Sequence, residues 1–235
     1  MIPPATKKKK SAVVVRDLAA ERKKRATSIL ARLKKEFPGA STALRHENAF
    51  QLLIATILSA QCTDERVNRV TPGLFQKYPG PAEFARAIPE ELEQEIRSTG
   101  FFRMKTRSIL GCSKALIERH QGNVPSQMEE LVKLPGVGRK TANVVLGQAF
   151  GISSGVVVDT HVQRLSKRMG LSEADDAGKI EEDLVQVIKK DDWIAAGSLL
   201  ILHGRKTCLA RTPRCAECVV TDICPSSEVL LRKKR

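Results

Sequence analysis

Residues 49–60, AFQLLIATILSA, are apolar around almost the whole circumference of a helix, and such a helix has to be surrounded by other elements. The rest of the interior supplies them as helices, because apolar residues recur at three- and four-residue spacing and period-two runs are scarce. The pattern predicts further helices at about 64–77, 82–87, 90–98, 103–120, 127–133, 138–149, 160–169, 175–189 and 192–202. Their ends carry recognisable signals. Pro89 suits a first-turn position, Ser126-x-x-Glu129 fits a capping box, and Gly100, Gly122, Gly136, Gly151 and Gly170 fall at breaks. Val156–Val158 has no partner run, so it reads as a buried extended connector. The expected fold class is all-α.

Charge narrows the range of partners. The 235 residues carry 40 Lys and Arg against 26 Asp and Glu, a formal net charge of +14, but residues 1–40 hold +9 of it and residues 227–235 another +3. Lysine blocks such as Lys7–Lys10, flanked by Pro and Ser, read as basic disordered tails over 1–15 and 227–235. The interior is nearly neutral yet segregated by sign. Arg97, Arg103, Lys105, Arg107, Lys114 and Arg119 face one acid, Glu118, and Arg205, Lys206, Arg211 and Arg214 follow His203 with none. Segregation of this kind lets a domain offer one positive face to a polyanion, with salt-dependent affinity; solvated helix faces are the plain alternative.

Aromatic residues make up 4% of the chain, which argues against a single-strand binder that stacks successive bases, and leaves a duplex held by its backbone. No apolar run approaches the ~18–20 residues of a membrane helix. The patch Ala12–Val15 is too short for a signal-peptide core. A cytoplasmic, nucleoid-associated monomer with no membrane partner is expected.

Three motifs carry chemistry. The first is Leu134-Pro-Gly-Val-Gly-Arg-Lys-Thr-Ala-Asn143, between a short amphipathic helix and a second helix starting near Gly138. Two glycines around Val137 make a tight turn, and free N–H groups at the start of the second helix point at a phosphate. Gly136, Val137, Gly138 and Arg139 are therefore candidate DNA-backbone contacts that position a duplex without reading its sequence. A P-loop is excluded because Arg139 stands where glycine is needed before Lys140-Thr141, and Thr141 breaks G-x-G-x-x-G.

The second motif pairs Lys140 with Asp159. Lys140 falls at the third position of the second helix, close to its positive end and beside Arg139, and both neighbours favour a free amine that can attack an aldehyde-like carbon. Nineteen residues on, Asp159-Thr160-His161 opens a helix whose exposed side is expected to carry Arg164, Lys167 and Arg168. From spacing, Asp159 reads as an N-cap and His161 as a packing or capping residue. As a catalytic carboxylate, Asp159 would stabilise positive charge or move protons.

The third is Cys208-x6-Cys215-x2-Cys218-x5-Cys224, followed by Pro225. Four reduced thiols this close point to metal rather than disulfides. Structural zinc often uses two Cys-x2-Cys arms and this chain has one, so the spacing leans toward a 4Fe–4S cluster, in a structural role, with zinc still open. Cys62 and Cys112, alone on apolar helices, read as core thiols.

Together the motifs resemble the endonuclease III family, bifunctional DNA glycosylases with AP-lyase activity in the helix-hairpin-helix superfamily. The likeness runs from about Leu30 to Pro225 and includes Leu52-Leu53-Ile54-Ala55, Leu58-Ser59-Ala60-Gln61 and Gly100-Phe101. It implies a six-helix barrel with the hairpin over 42–153, and an α-domain built from 16–41 and 154–226 that carries the cluster. DNA would lie across the groove between them. It further implies Lys140 as Schiff-base nucleophile, Asp159 as catalytic carboxylate, and Cys208, Cys215, Cys218 and Cys224 as 4Fe–4S ligands. Gln61 would enter the gap left by a flipped nucleotide, Phe101 would wedge the opposite strand, and Arg205, Lys206 and Arg211 would touch DNA.

The substrate implied is double-stranded DNA with oxidised pyrimidines or abasic sites. Two departures stand out: the loop at Gly151–Gly155 is one residue longer than usual, and Phe101-Phe102 replaces Leu-Tyr at the wedge. Two other readings compete. An adenine glycosylase of the same superfamily usually lacks the lysine at 140 and carries a further C-terminal domain, and a catalytically silent hairpin module would only grip phosphates.

Overall fold

The computed structural model describes residues 7–229, with side chains from Ala19 onward. The helices are α1 (Lys7–Glu36), α2 (Ala49–Leu58), α3 (Asp64–Lys77), α4 (Pro81–Arg86), α5 (Pro89–Ile96), α6 (Phe102–His120), α7 (Met128–Leu131), α8 (Arg139–Phe150), α9 (Thr160–Arg168), α10 (Ala177–Val187) and α11 (Trp193–Lys206). Short 3₁₀ turns stand at Arg97–Thr99, Lys190–Asp192 and Cys215–Glu217. Among the described residues no strand forms, and the protein is all-α.

The chain divides into two compact units, residues 41–154 and residues 1–40 with 155–235. In the first, α2 is the central element. Its N-cap Asn48 accepts the Gln51 amide (2.9 Å), and every residue from Phe50 to Leu58 is buried, as the apolar run requires. Leu52, Leu53, Ile54 and Leu58 pack with Ile109 and Leu116 of α6 and Val145 and Leu146 of α8. Each fully buried Leu or Ile contributes roughly 1.5–3 kcal/mol, so the apolar contacts of α2 are a large part of what holds this unit together.

In the second unit, Ala26, Ile29, Leu30 and Leu33 of α1 share a core with Val162, Leu165, Ile180, Leu184, Leu199 and Leu200. Val156 and Val158 are buried in an extended connector. It lies close on α11, because a Cβ at Gly197 would stand 3.2 Å from Val157 Cβ. Arg32 forms a bidentate pair with Asp222, joining α1 to the C-terminal loop.

Two local expectations are corrected. α1 begins at Lys7, inside the stretch 1–15 read as a tail: after Pro4 neither Pro nor Gly interrupts it, and Lys, Ala and Arg favour helix. Residues 1–6 and 230–235 of the expected tails lie outside the described residues. The capping box does not form. α7 is one turn long with Gln127 at its N-cap, and Ser126 Oγ accepts from Gln127 Nε2 (3.2 Å) instead of from the backbone. The glycines read as breaks all have positive φ, and Pro89 opens α5. No described helix is long and apolar enough to cross a membrane.

Candidate nucleophile, carboxylate and cluster loop

The hairpin is built on apolar anchors in the 41–154 unit. Leu131, Leu134 and Val137 are buried one after another, and the amides of Leu134 and Val137 donate to the carbonyls of Leu131 (3.0 Å) and Leu134 (3.1 Å). Val137 therefore does not offer itself to DNA as the sequence suggested: its side chain is 5% exposed and its N–H is spent inside the turn. Gly136 and Gly138 are exposed. Gly136 has φ +78°, and a Cβ there would stand 2.5 Å from Ser108 Cβ on α6. Gly136→Ala is expected to lower stability by about 1–3 kcal/mol, from a strained φ plus a clash. The check is the denaturant midpoint, and an unchanged value would show that the turn relaxes freely.

At the start of α8 the N-cap Gly138 has no side-chain capping bond, and the first helical bond runs from the Ala142 N–H to the Gly138 carbonyl (3.0 Å). The amides of the first turn thus have no carbonyl of the helix to bond, and the positive end of the helix dipole lies there, the arrangement that holds a phosphate oxygen. Arg139 and Lys140 are the first and second helical residues, not the second and third, and both are exposed. Downstream, the longer loop is closed on α8 by the Ile152 amide to the Leu146 carbonyl (2.9 Å) and by Ser154 Oγ to Asn143 Oδ1 (2.8 Å).

Gln61 and Phe101 share an unusual backbone. Among the described non-glycine residues, Gln61 (φ 52°), Phe101 (φ 48°) and Gln121 (φ 54°) have positive φ. Gln121 is the left-handed C-cap of α6, an ordinary use. Gln61 and Phe101 are exposed, and Phe101 is 58% accessible. A left-handed conformation costs an L-residue roughly 1–2 kcal/mol. Such outliers concentrate at functional positions.

The carboxylate belongs to the other unit. Asp159 is the N-cap of α9, and its Oδ1 accepts from the amides of His161 (2.8 Å) and Val162 (2.9 Å). Among the described residues Oδ2 makes no hydrogen bond, so capping leaves one oxygen for chemistry. His161 Nδ1 lies 3.2 Å from Arg164. Burial first, then the charges of Arg164 and Arg205, hold its imidazole below the ordinary value against the pull of Asp159, which keeps it neutral near pH 7.

Arg164 and Arg168 are half-buried and tied to the fold, where the sequence suggested a solvated face. Arg164 donates to the carbonyls of Gly204 (3.0 Å) and Cys208 (3.0 Å). Arg168 donates to the carbonyls of Leu209 (2.7 Å) and Ala210 (2.6 Å) and lies 3.4 Å from Cys208 Sγ. One helical turn apart, they clamp α9 onto the cysteine loop. Only their i, i+4 spacing hinted at a shared role in the sequence.

Cys208, Cys215, Cys218 and Cys224 line one cavity of about 220 Å³, with Arg168, His203 and Arg211 around it. Burial, and then the crowding of Cys224, Cys208 and Cys215, push the Cys218 thiol up to about 11 against a hydrogen bond from Val220. Thiolates this crowded need positive charge among them, and the irons of a cluster supply it. Four sulfurs around one cavity fit an iron–sulfur cluster, while no three His, Cys, Asp or Glu side chains among the described residues are grouped to hold a single ion. Arg205, Lys206 and Arg211 are exposed on or beside this loop, and Lys206 stands 3.4 Å from Glu36 and over the Phe37 ring.

Comparison with known proteins agrees with this geometry. Residues 54–190 match the family of HhH-GPD superfamily base excision DNA repair proteins, and residues 208–224 match the iron–sulfur binding domain of endonuclease III. Endonuclease III of Synechocystis sp. is 54% identical over 209 residues, 89% of this chain and 95% of the relative. That of Bacillus subtilis is 49% identical over 189 residues, 80% of this chain and 86% of the relative. A solved structure of a trapped covalent intermediate between endonuclease III and DNA superposes with a TM-score of 0.84 at 44% identity, covering 89% of this chain and 99% of the other.

The chain belongs to the endonuclease III family of HhH-GPD base-excision repair proteins. It is a DNA-binding enzyme, a DNA glycosylase with AP-lyase activity, and its cofactor is a 4Fe–4S cluster. This favours the bifunctional reading over an adenine glycosylase or a silent hairpin module.

Proposed function

We propose that the enzyme removes oxidised pyrimidines from duplex DNA and cuts the strand 3′ to the lesion, with Lys140 as the nucleophile. The observation that carries the assignment is an exposed lysine amine on the second residue of a helix whose positive N-terminal end suits a phosphate. Lys140 Nζ attacks C1′ of an everted nucleotide, the glycosidic bond breaks, and the base departs with the bonding electrons and a proton. The sugar ring opens to a protonated imine. Loss of a C2′ proton then expels the 3′ phosphate by β-elimination, and water releases the lysine.

Asp159, with Oδ2 outside the capping bonds, balances the positive charge that develops on the sugar and passes protons to and from the amine. The hairpin backbone at Gly136, Gly138 and Arg139, together with Arg205, Lys206 and Arg211, holds phosphates. Binding Lys206 to DNA requires exchange of its Glu36 partner. Gln61 fills the gap in the helix and Phe101 wedges the opposite strand.

Cys208, Cys215, Cys218 and Cys224 hold the cluster, which braces the loop against α9. In this division, 42–153 forms the hairpin domain, while 16–41 and 154–226 form the cluster domain. The enzyme works as a monomer at the nucleoid.

Borohydride reduction on duplexes carrying one thymine glycol, one abasic site or no lesion tests the proposal. A covalent adduct is expected on the first two. An adduct on the abasic duplex alone would leave a lyase whose base specificity is narrower than proposed, and none anywhere would overturn the lysine mechanism.

A further inference from the structure

Gln61 and Phe101 stand on separate loops, and one buried side chain reaches the base of both. Lys105, in the first turn of α6, is 4% exposed. Its Nζ donates to the Leu58 carbonyl (2.8 Å) and to the Thr99 carbonyl (2.7 Å). Leu58 is the last residue of α2, three before Gln61, and Thr99 ends the 3₁₀ turn two residues before Phe101. Its own amide donates to the Phe101 carbonyl (3.0 Å).

The chemistry suits the place. Carbonyls at the ends of helical turns lack helical partners and carry partial negative charge, and an ammonium group can satisfy two of them at once. Burial opposes the charge and holds the Lys105 amine below the ordinary lysine value. Satisfying two buried carbonyls from one amine is a task that an apolar side chain of similar length could not perform.

We propose that Lys105 is a positioning residue for base eversion, fixing the spacing between the Gln61 and Phe101 loops so that both side chains enter the duplex already ordered. The inference rests on the insertion roles given above to Gln61 and Phe101. Unstacking a paired base requires compensation from inserted groups, and groups ordered in advance lose less freedom on entry. A lesion that is already unpaired needs less of that help.

The test uses full-length, cluster-loaded Lys105→Met, compared with the native enzyme in single-turnover base release. One duplex carries thymine glycol opposite adenine and the other carries it in an unpaired bulge. The expected result is a roughly 10- to 100-fold loss on the paired lesion, the scale of a small misplacement of a reacting group, against less than about threefold on the bulge. Lys105→Arg, which keeps charge and donors, is expected to recover part of the loss. Equal losses on both substrates would mark a general structural role and overturn the proposal, as would full activity on the paired lesion.

Gln61→Ala and Phe101→Ala separate the two levels. If both are fully active on the paired duplex, the insertion reading falls and the clamp with it. If they are impaired while Lys105→Met is not, the clamp alone falls. Should the methionine variant not fold, Lys105→Gln carries the same comparison.

Discussion

Lys140→Ala protein is expected to release no base, leave the strand uncut and form no borohydride adduct, yet still bind a duplex with an abasic site. Loss of a covalent nucleophile lowers turnover by a factor on the order of 10⁴ or more, because no neighbouring group repeats its chemistry. Folding is not the reason for the loss. Lys140 lies exposed on the second residue of α8, where alanine is an excellent helix former and a surface substitution changes stability by only about 0.5 kcal/mol. Binding is expected to survive because the substitution leaves in place the hairpin backbone proposed above to hold phosphate. The assays are single-turnover cleavage, trapping and a binding titration at fixed salt. Strand cleavage persisting in this variant would assign the nucleophile elsewhere.

The second large effect separates two roles of one side chain. Asp159→Asn keeps a good N-cap, since asparagine can accept from the amides of His161 and Val162 as aspartate does. Its melting temperature should stay within about a degree of the native protein, while base release falls by roughly 10²–10⁴-fold with the loss of the carboxylate charge and its proton traffic. Asp159→Ala removes the cap as well and costs about 1 kcal/mol, or about 2–4 °C in a chain of this length. An asparagine variant with native turnover would reduce Asp159 to a cap. Thermal unfolding and kinetics on the same three proteins decide between the outcomes.

The helices were legible because one face or the whole surface of each is apolar, and α3 falls where the pattern placed it. Asp159 as an N-cap was legible from its place before an amphipathic run. The capping box at Ser126 misled because α7 is a single turn, too short for its local signal to govern the backbone. Lys105 was hidden for the opposite reason. In a segment rich in Lys and Arg, spacing does not distinguish a lysine that turns inward to two carbonyls from neighbours in water. Arg164 and Arg168 likewise read as part of a basic surface, and only their tertiary contacts with residues 204–210 reveal a clamp. Burial of Val137 was also invisible, since a valine between two glycines can point either way.

The order of the two units along the chain has a bearing on how the protein is made. Residues 41–154 are continuous, so that unit can close as soon as its last helix clears the ribosome. The other unit must wait. Its first helix sits at the N-terminal end, and one of its ties, from Arg32 to Asp222, spans 190 residues. Contacts so distant in sequence form slowly, and until they do the apolar face of Ile29 and Leu33 has no partner. Nascent chains halted near residue 154 are therefore expected to expose that face, which Val162, Leu165, Ile180, Leu184, Leu199 and Leu200 cover only as they emerge.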